Sequence, residues 1–192
     1  MKTKIISYSQ APALTGADPS LLDLVAYCAR VSNPGNQNNT ETNEKLVKYL
    51  IKHKHWSPLE MVSVCMEVET TRDIARQLLR HRSFSFQEFS QRYADPTKDL
   101  EFEIREARLQ DPKNRQNSVS TDDGLLQHGW ADMQQKVIDT ATEAYNYAVS
   151  NGIAKEQARA VLPEGNTLSR LYVNGTLRSW IHYIEIPQAP KM

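Results

Sequence analysis

At 192 residues the chain is long enough to bury a substantial core, and a single domain spanning 1–192 is the natural expectation. Its 23 basic and 23 acidic side chains cancel, so no global field draws it to nucleic acid or to a membrane surface, and any anion site must be local. Two distant cysteines, Cys28 and Cys65, form no disulfide framework and point to reduced thiols in a cytoplasmic protein; no signal peptide or membrane-spanning apolar run is read.

Lys4–Tyr8 reads as a strand and Ala11–Gly16 as a turn. Asp18 is expected to cap a helix with Pro19 at its first position, where a missing N–H costs nothing, and Leu21, Leu22, Val25 and Cys28 form its buried face. That helix ends near Arg30–Val31–Ser32, before a loop at Asn33–Asn36. A second helix spans Asn43–Lys54, with Leu46, Val47, Leu50 and Ile51 as its stripe. His53 and His55 follow without a third ligand at a suitable spacing, so no metal site is expected. Met61–Glu69 is the clearest strand: Val62, Val64, Met66 and Val68 share one face, and Ser63, Cys65, Glu67 and Glu69 the other. Thr70–Thr71 should then turn the chain.

The stretch Arg72–Tyr93, RDIARQLLRHRSFSFQEFSQRY, organises the rest. Ile74, Ala75, Leu78 and Leu79 make a helical stripe, Thr70 and Asp73 could form a capping box, and Arg72, Arg76, Gln77 and Arg80 fall on other faces. Arg80-His81-Arg82 stands where the stripe stops, and Ser, Gln and Phe residues follow. A helix running into such a segment suits a phosphorylated ligand, since guanidinium groups fork onto phosphate oxygens and hydroxyls complete the cradle. A solvated basic helix end with aromatic anchors is the competing reading of the same residues.

Beyond it, Leu100–Ile104 alternates as a strand and Arg105–Thr121 reads as a long polar surface loop. Thr121 or Asp122 caps the longest helix, which runs to about Ser150 and ends at Gly152; Trp130, Met133, Val137, Ile138, Ala141, Ala144, Tyr145 and Ala148 give it an apolar side broad enough for a core and a subunit contact. A short helix, Lys155–Leu162, stops at Pro163. Leu168–Val173 is a strand, turned by Asn174–Gly175–Thr176 into a last helix bearing Leu177, Trp180, Ile181 and Ile184. The sum is an α/β chain of the α+β type, a mostly antiparallel sheet covered by helices, one of them long.

Arg80-His81-Arg82, Gln87-Glu88 in the spacer, and Ser90-x-Arg92 closely resemble the signature of the flavin-dependent thymidylate synthases. Ala29–Ser32, His55–Glu60, Ala158-Arg159 with Leu162-Pro163, and Asn174 resemble further elements of that family. The resemblance implies methylation of dUMP to dTMP, with methylenetetrahydrofolate as carbon donor and NADPH-reduced FAD as hydride source. It implies that Gln77, Arg80, Glu88, Ser90, Gln91, Arg92 and Arg159 hold dUMP, with Arg80, Ser90 and Arg92 catalytic. It implies an FAD site lined by Ser32, His55, Ser57, Glu60, Arg80, His81, Arg82, Gln87, Glu88 and Asn174, in a homotetramer whose sites are shared between subunits.

One segment departs from the pattern. The family usually has an Arg shortly after the segment matching Ile181–Ile184, then a further helix; here Pro187 takes the place of the Arg. The expectation is either an FAD- and dUMP-binding relative of weak or no activity, or another Arg in the role, Arg178 first. A nucleic-acid module built on Arg72, Arg76, Arg80, Arg82 and Arg92 with interleaved Phe is disfavoured by the zero net charge.

Overall fold

The computed structural model describes residues 1–11 and 20–185. Along them run β1 (Lys2–Tyr8), α1 (Leu21–Ala29), α2 (Asn43–Lys52), β2 (Ser63–Thr71), α3 (Arg72–Leu78), β3 (Ser85–Glu88), α4 (Pro96–Asp99), β4 (Arg108–Gln110), β5 (Ser118–Ser120), α5 (Gly124–Ser150), α6 (Lys155–Ala158), β6 (Leu168–Thr176) and α7 (Leu177–Glu185). Short 3-10 turns occupy Pro34–Asn36, Ser57–Met61 and Arg159–Val161. Four strands form one antiparallel sheet in the order β1-β2-β6-β3, so the α/β class with a mostly antiparallel sheet and one long helix is the fold adopted.

The alternation in β2 decides how the sheet is covered. Val64 and Val68 point with Leu171 and Val173 of β6 toward α3 and α7, where Ala75, Leu78 and Phe84 close a core flanked by Phe86, Trp180 and Tyr183. Cys65, Glu67 and Glu69 share the opposite face with Arg170, Tyr172 and Asn174, whose register partners they are. A second core, Val25, Leu50, Leu59 and Val62, lies under α1, α2 and the Ser57–Met61 turn; a third, Tyr145, Ala148, Ala158 and Leu162, joins α5 to α6.

Several boundaries differ from the sequence reading, each for a local reason. Helix α1 is capped by Ser20 in a reciprocal capping box with Asp23; Asp18 and Pro19, like the turn placed over Ala11–Gly16 beyond its first residue, lie outside the described residues. Asn33–Asn36 contains a 3-10 turn. Helix α2 ends at Lys52, not Lys54, because Lys54 adopts φ 56° and a Schellman closure forms, with Lys54 N–H donating to Ile51 O (3.1 Å) and His55 N–H to Leu50 O (2.8 Å).

Strand β2 starts at Ser63, with Met61 in the preceding turn, and Thr70 and Thr71 stay in it, buried and paired with Ser169 and Leu168. No Thr70–Asp73 capping box forms; the Thr71 hydroxyl donates instead to the Asp73 carboxylate at 2.6 Å. Leu100–Ile104 contributes only a bridge, Phe102 to Thr167, because Glu103 bonds to Asn166 and, two residues on, Arg105 N–H donates to the Gln134 side chain. The expected loop 105–121 holds the β4–β5 hairpin, tied by Arg108 to Ser118. Asp123, not Thr121 or Asp122, caps α5. Only Lys155–Ala158 of the expected short helix is α-helical, and a 3-10 turn continues it. Asn174–Thr176 extend β6 rather than turning, and α7 begins at once, with Leu177 N–H on Val62 O.

Candidate active site

Helix α3 delivers Arg80-His81-Arg82 into a tight turn closed by His81 N–H on Leu78 O (3.1 Å) and Phe84 N–H on His81 O (3.2 Å). Phe84 is the anchor: it is buried against Trp180, ring centroids 4.6 Å apart. His81 meets Tyr183 edge to face at 4.8 Å, while Arg80 and Arg82 are exposed. Among the described residues no carboxylate lies within ion-pair distance of Arg80, Arg82, Arg92 or Arg159.

From this turn β3 runs along the edge of β6, pairing Ser85 with Asn174, Phe86 with Val173, Gln87 with Tyr172 and Glu88 with Leu171. Ser85, Gln87 and Asn174 therefore share the open face, and Glu88 points to the covered one. There its carboxylate accepts from Ser169 Oγ (2.9 Å) and Arg72 Nη1 (3.4 Å), with Arg76 at 3.8 Å. Arg72 is buried rather than on a solvent face, and burial pulls its guanidinium below its ordinary pKa; Glu88 opposes this, and the nearby positive charges of Arg76 and Arg159 add to it. Arg159, whose charge acts on Arg72, has its Nε donating to Glu156 O at 3.1 Å.

At the start of β3 a cavity of about 500 Å³ is lined by Glu60, Ser83, Thr176, Arg178, Ser179 and His182, with Met61 at its edge. Arg178 donates to Glu60, Ser179 Oγ donates to Ser83 O (3.1 Å), and His182 stands edge-on to Trp56 at 4.9 Å. Ser57 opens the turn that carries Glu60.

The remaining expected residues are less tightly assembled. Ser32 is exposed on a turn closed by Asn33 N–H on Arg30 O, and His55 packs against the Tyr49 ring. Gln77 is exposed, Ser90 accepts Tyr93 and Ala94 N–H at its carbonyl, and Arg92 lies 5.8 Å from the centre of the Tyr93 ring. Gln91 is buried, its Nε2 without a partner among the described residues. Pro187 lies outside the described residues. The sequence reading did not assign Ser83 or His182 to a site and gave Arg72 and Arg76 only to the disfavoured nucleic-acid module. The signal for His182 was available: Leu177, Trp180 and Ile181 pack inward on α7 and leave Arg178 and His182, four apart, on one other face, while Ile184 is exposed.

The family model described as thymidylate synthase complementing protein matches residues 14–190. A probable flavin-dependent thymidylate synthase of Paramecium bursaria Chlorella virus 1 is 48% identical over 186 residues, covering 97% of this chain and 84% of the viral one. A flavin-dependent thymidylate synthase of Synechocystis is 46% identical over 187 residues with the same coverage. Among solved structures, the UMP/dUMP methylase PolB of Streptomyces cacaoi bound with 5-Br dUMP superposes with a TM-score of 0.74 at 27% identity, over 95% of this chain and 75% of that one. No helix of the described residues is long and apolar enough to cross a membrane.

Proposed function

The chain belongs to the family of flavin-dependent thymidylate synthases, and from that premise we propose that it is a methyltransferase converting dUMP to dTMP with a flavin as hydride source. The observation that carries this reading is the pairing of two unlike environments by one short strand. β3 begins beside the Glu60–Arg178 cavity and ends at Glu88, between Arg72 and Arg76. Four strand residues span about 13 Å, a gap that a nucleotide seated along β3 would bridge.

The residues present fit both ligands. The cavity offers a cation (Arg178), an acceptor (Glu60), hydroxyls and an imidazole, a donor set suited to a flavin nucleotide. Gln91 Nε2 is a buried donor left over for a carbonyl or phosphate oxygen. FAD as the flavin, NADPH as its reductant and methylenetetrahydrofolate as carbon donor complete the reading. Free thiols at Cys28 and Cys65 suit a cytoplasmic enzyme.

In the reaction a one-carbon unit must gain a hydride while C5 of the uracil loses a proton; the bound flavin supplies that hydride. The part of the chain is electrostatic. Arg80, Arg92 and Arg159 hold the phosphate and the uracil carbonyls, and a guanidinium at a carbonyl stabilises the charge that builds there. Gln77, Glu88, Ser90 and Gln91 orient the nucleotide, with Ser90 beside the reacting ring. Ser32, His55, Ser57, Glu60, Arg80, His81, Arg82, Gln87, Glu88 and Asn174 line the flavin. An exposed stripe on α5, Leu126, Trp130, Met133 and Val137, at the 4-3-4 spacing of a helix-pairing seam, supports sites shared between subunits of a homotetramer.

Purified protein should show oxidised-flavin absorbance and form dTMP from dUMP only when methylenetetrahydrofolate and NADPH are both present. A colourless protein that forms no dTMP would overturn the reading.

A further inference from the structure

The turn that follows Arg159 is docked on the start of α3: Arg72 N–H donates to Thr167 O (3.0 Å) and Asp73 N–H to Glu164 O (3.3 Å). The docking gathers the guanidinium groups of Arg72 and Arg76 around the carboxylates of Glu88 and Glu164, and the positive charge of Arg159 acts on Arg72 without reaching either carboxylate. These cations are not equally committed. The Arg72 side chain is 8% exposed and shares Glu88 with Ser169. Arg76, one turn further along α3, stands 3.8 Å from Glu88 and 3.7 Å from Glu164, within ion-pair range of both and within hydrogen-bond distance of neither. Its side chain is 46% exposed.

A guanidinium held loosely between two carboxylates has its fork of donors available for a better acceptor. We infer that Arg76 is a further binding residue for the phosphate monoester of the nucleotide, forking onto it beside Arg159. The inference rests on the dUMP reading above. Glu88 is anchored by Arg72 and Ser169, so Glu164, whose side chain is 58% exposed, is the carboxylate that yields when the phosphate dianion arrives. Glu164 thus competes with the substrate for Arg76 and sets how tightly the phosphate is held.

The test compares dUMP with deoxyuridine by calorimetric titration of the flavin-loaded protein. Arg76→Gln should weaken dUMP about 10–100-fold, the loss of one charge-assisted contact, and leave deoxyuridine unchanged. Arg76→Lys should recover part of the loss, and Glu164→Gln should tighten dUMP alone. Equal weakening of both ligands by Arg76→Gln marks a structural role and overturns the inference, as does unchanged dUMP affinity. Parent protein that does not distinguish dUMP from deoxyuridine would bring down the dUMP reading itself, and the inference with it.

Discussion

Phe84 occupies the space that a side chain at Gly175 would need: its Cδ1 and Cε1 lie 2.4 Å and 2.6 Å from where a Cβ on that residue would stand. The ring is packed among Trp180, Phe86 and Tyr183 and is no free end that can swing aside. Gly175→Ala should therefore destabilise the fold by about 1–3 kcal/mol. Because Phe84 anchors the Arg80-His81-Arg82 turn, flavin retention should fall with it. Thermal unfolding provides the check, and combining Gly175→Ala with Phe84→Leu should cost less than the two changes summed. An unaltered midpoint in the single variant would show that the ring moves freely.

Lys54 carries a left-handed backbone at the end of α2, in a closure whose hydrogen bonds are those usually made around glycine. A non-glycine residue there costs about 1–2 kcal/mol. Lys54→Gly should raise the urea midpoint without moving His55, and loss of stability on this change would contradict the assigned backbone.

Asp73 accepts from Thr71 Oγ1 (2.6 Å) and Arg105 Nη2 (2.7 Å). Burial works against its charge, yet these bonds and the Arg105 charge hold its carboxyl below the ordinary range. A carboxylate with a lowered pKa in the folded state stabilises the fold above its unfolded pKa, about 3.9, and that contribution is lost as pH falls through the folded value. Asp73→Asn should be less stable than the parent at pH 7 and converge with it in strong acid. A constant difference across the whole range would remove Asp73 from the acid response.

Cys65 pairs across the sheet with Asn174 and Cys28 lies within α1, and among the described residues neither thiol has a cation or imidazole bonded to it. Thiolate nucleophiles need such a neighbour. With both replaced by Ser, the folded protein should still form dTMP. A double variant that binds flavin and dUMP normally but does not turn over would reinstate a cysteine nucleophile.

Where sequence and structure agree, one residue's chemistry dictates local geometry. The period of two in Val62–Val68 fixes which face of β2 is buried, and Gly152 (φ 78°) ends α5 as a glycine should. Lys54 closes α2 by the same motif but carries no glycine to announce it, so the helix read two residues too long. The Arg80–Arg92 motif was legible because its spacing is local. The burial of Arg72 was not, because it depends on Glu88, Ser169 and the docked turn at 163–167, which periodicity along α3 cannot report. The cavity likewise needs Glu60 and Arg178, 118 positions apart, to meet.

The placing of β6 between β2 and β3 also sets an order of events in folding. β3 pairs only with β6 among the described strands, and Glu88 receives its bond from Ser169, 81 residues further along. During synthesis the signature segment can form its helix and turn early, but it has no strand to lie against until β6 has emerged. Closure of such a distant pairing is slow. The nascent chain therefore carries its signature arginines and a bare strand edge from the synthesis of Glu88 until Ser169, 81 residues later, has emerged, and ligand-binding competence should be among the late properties the new protein acquires.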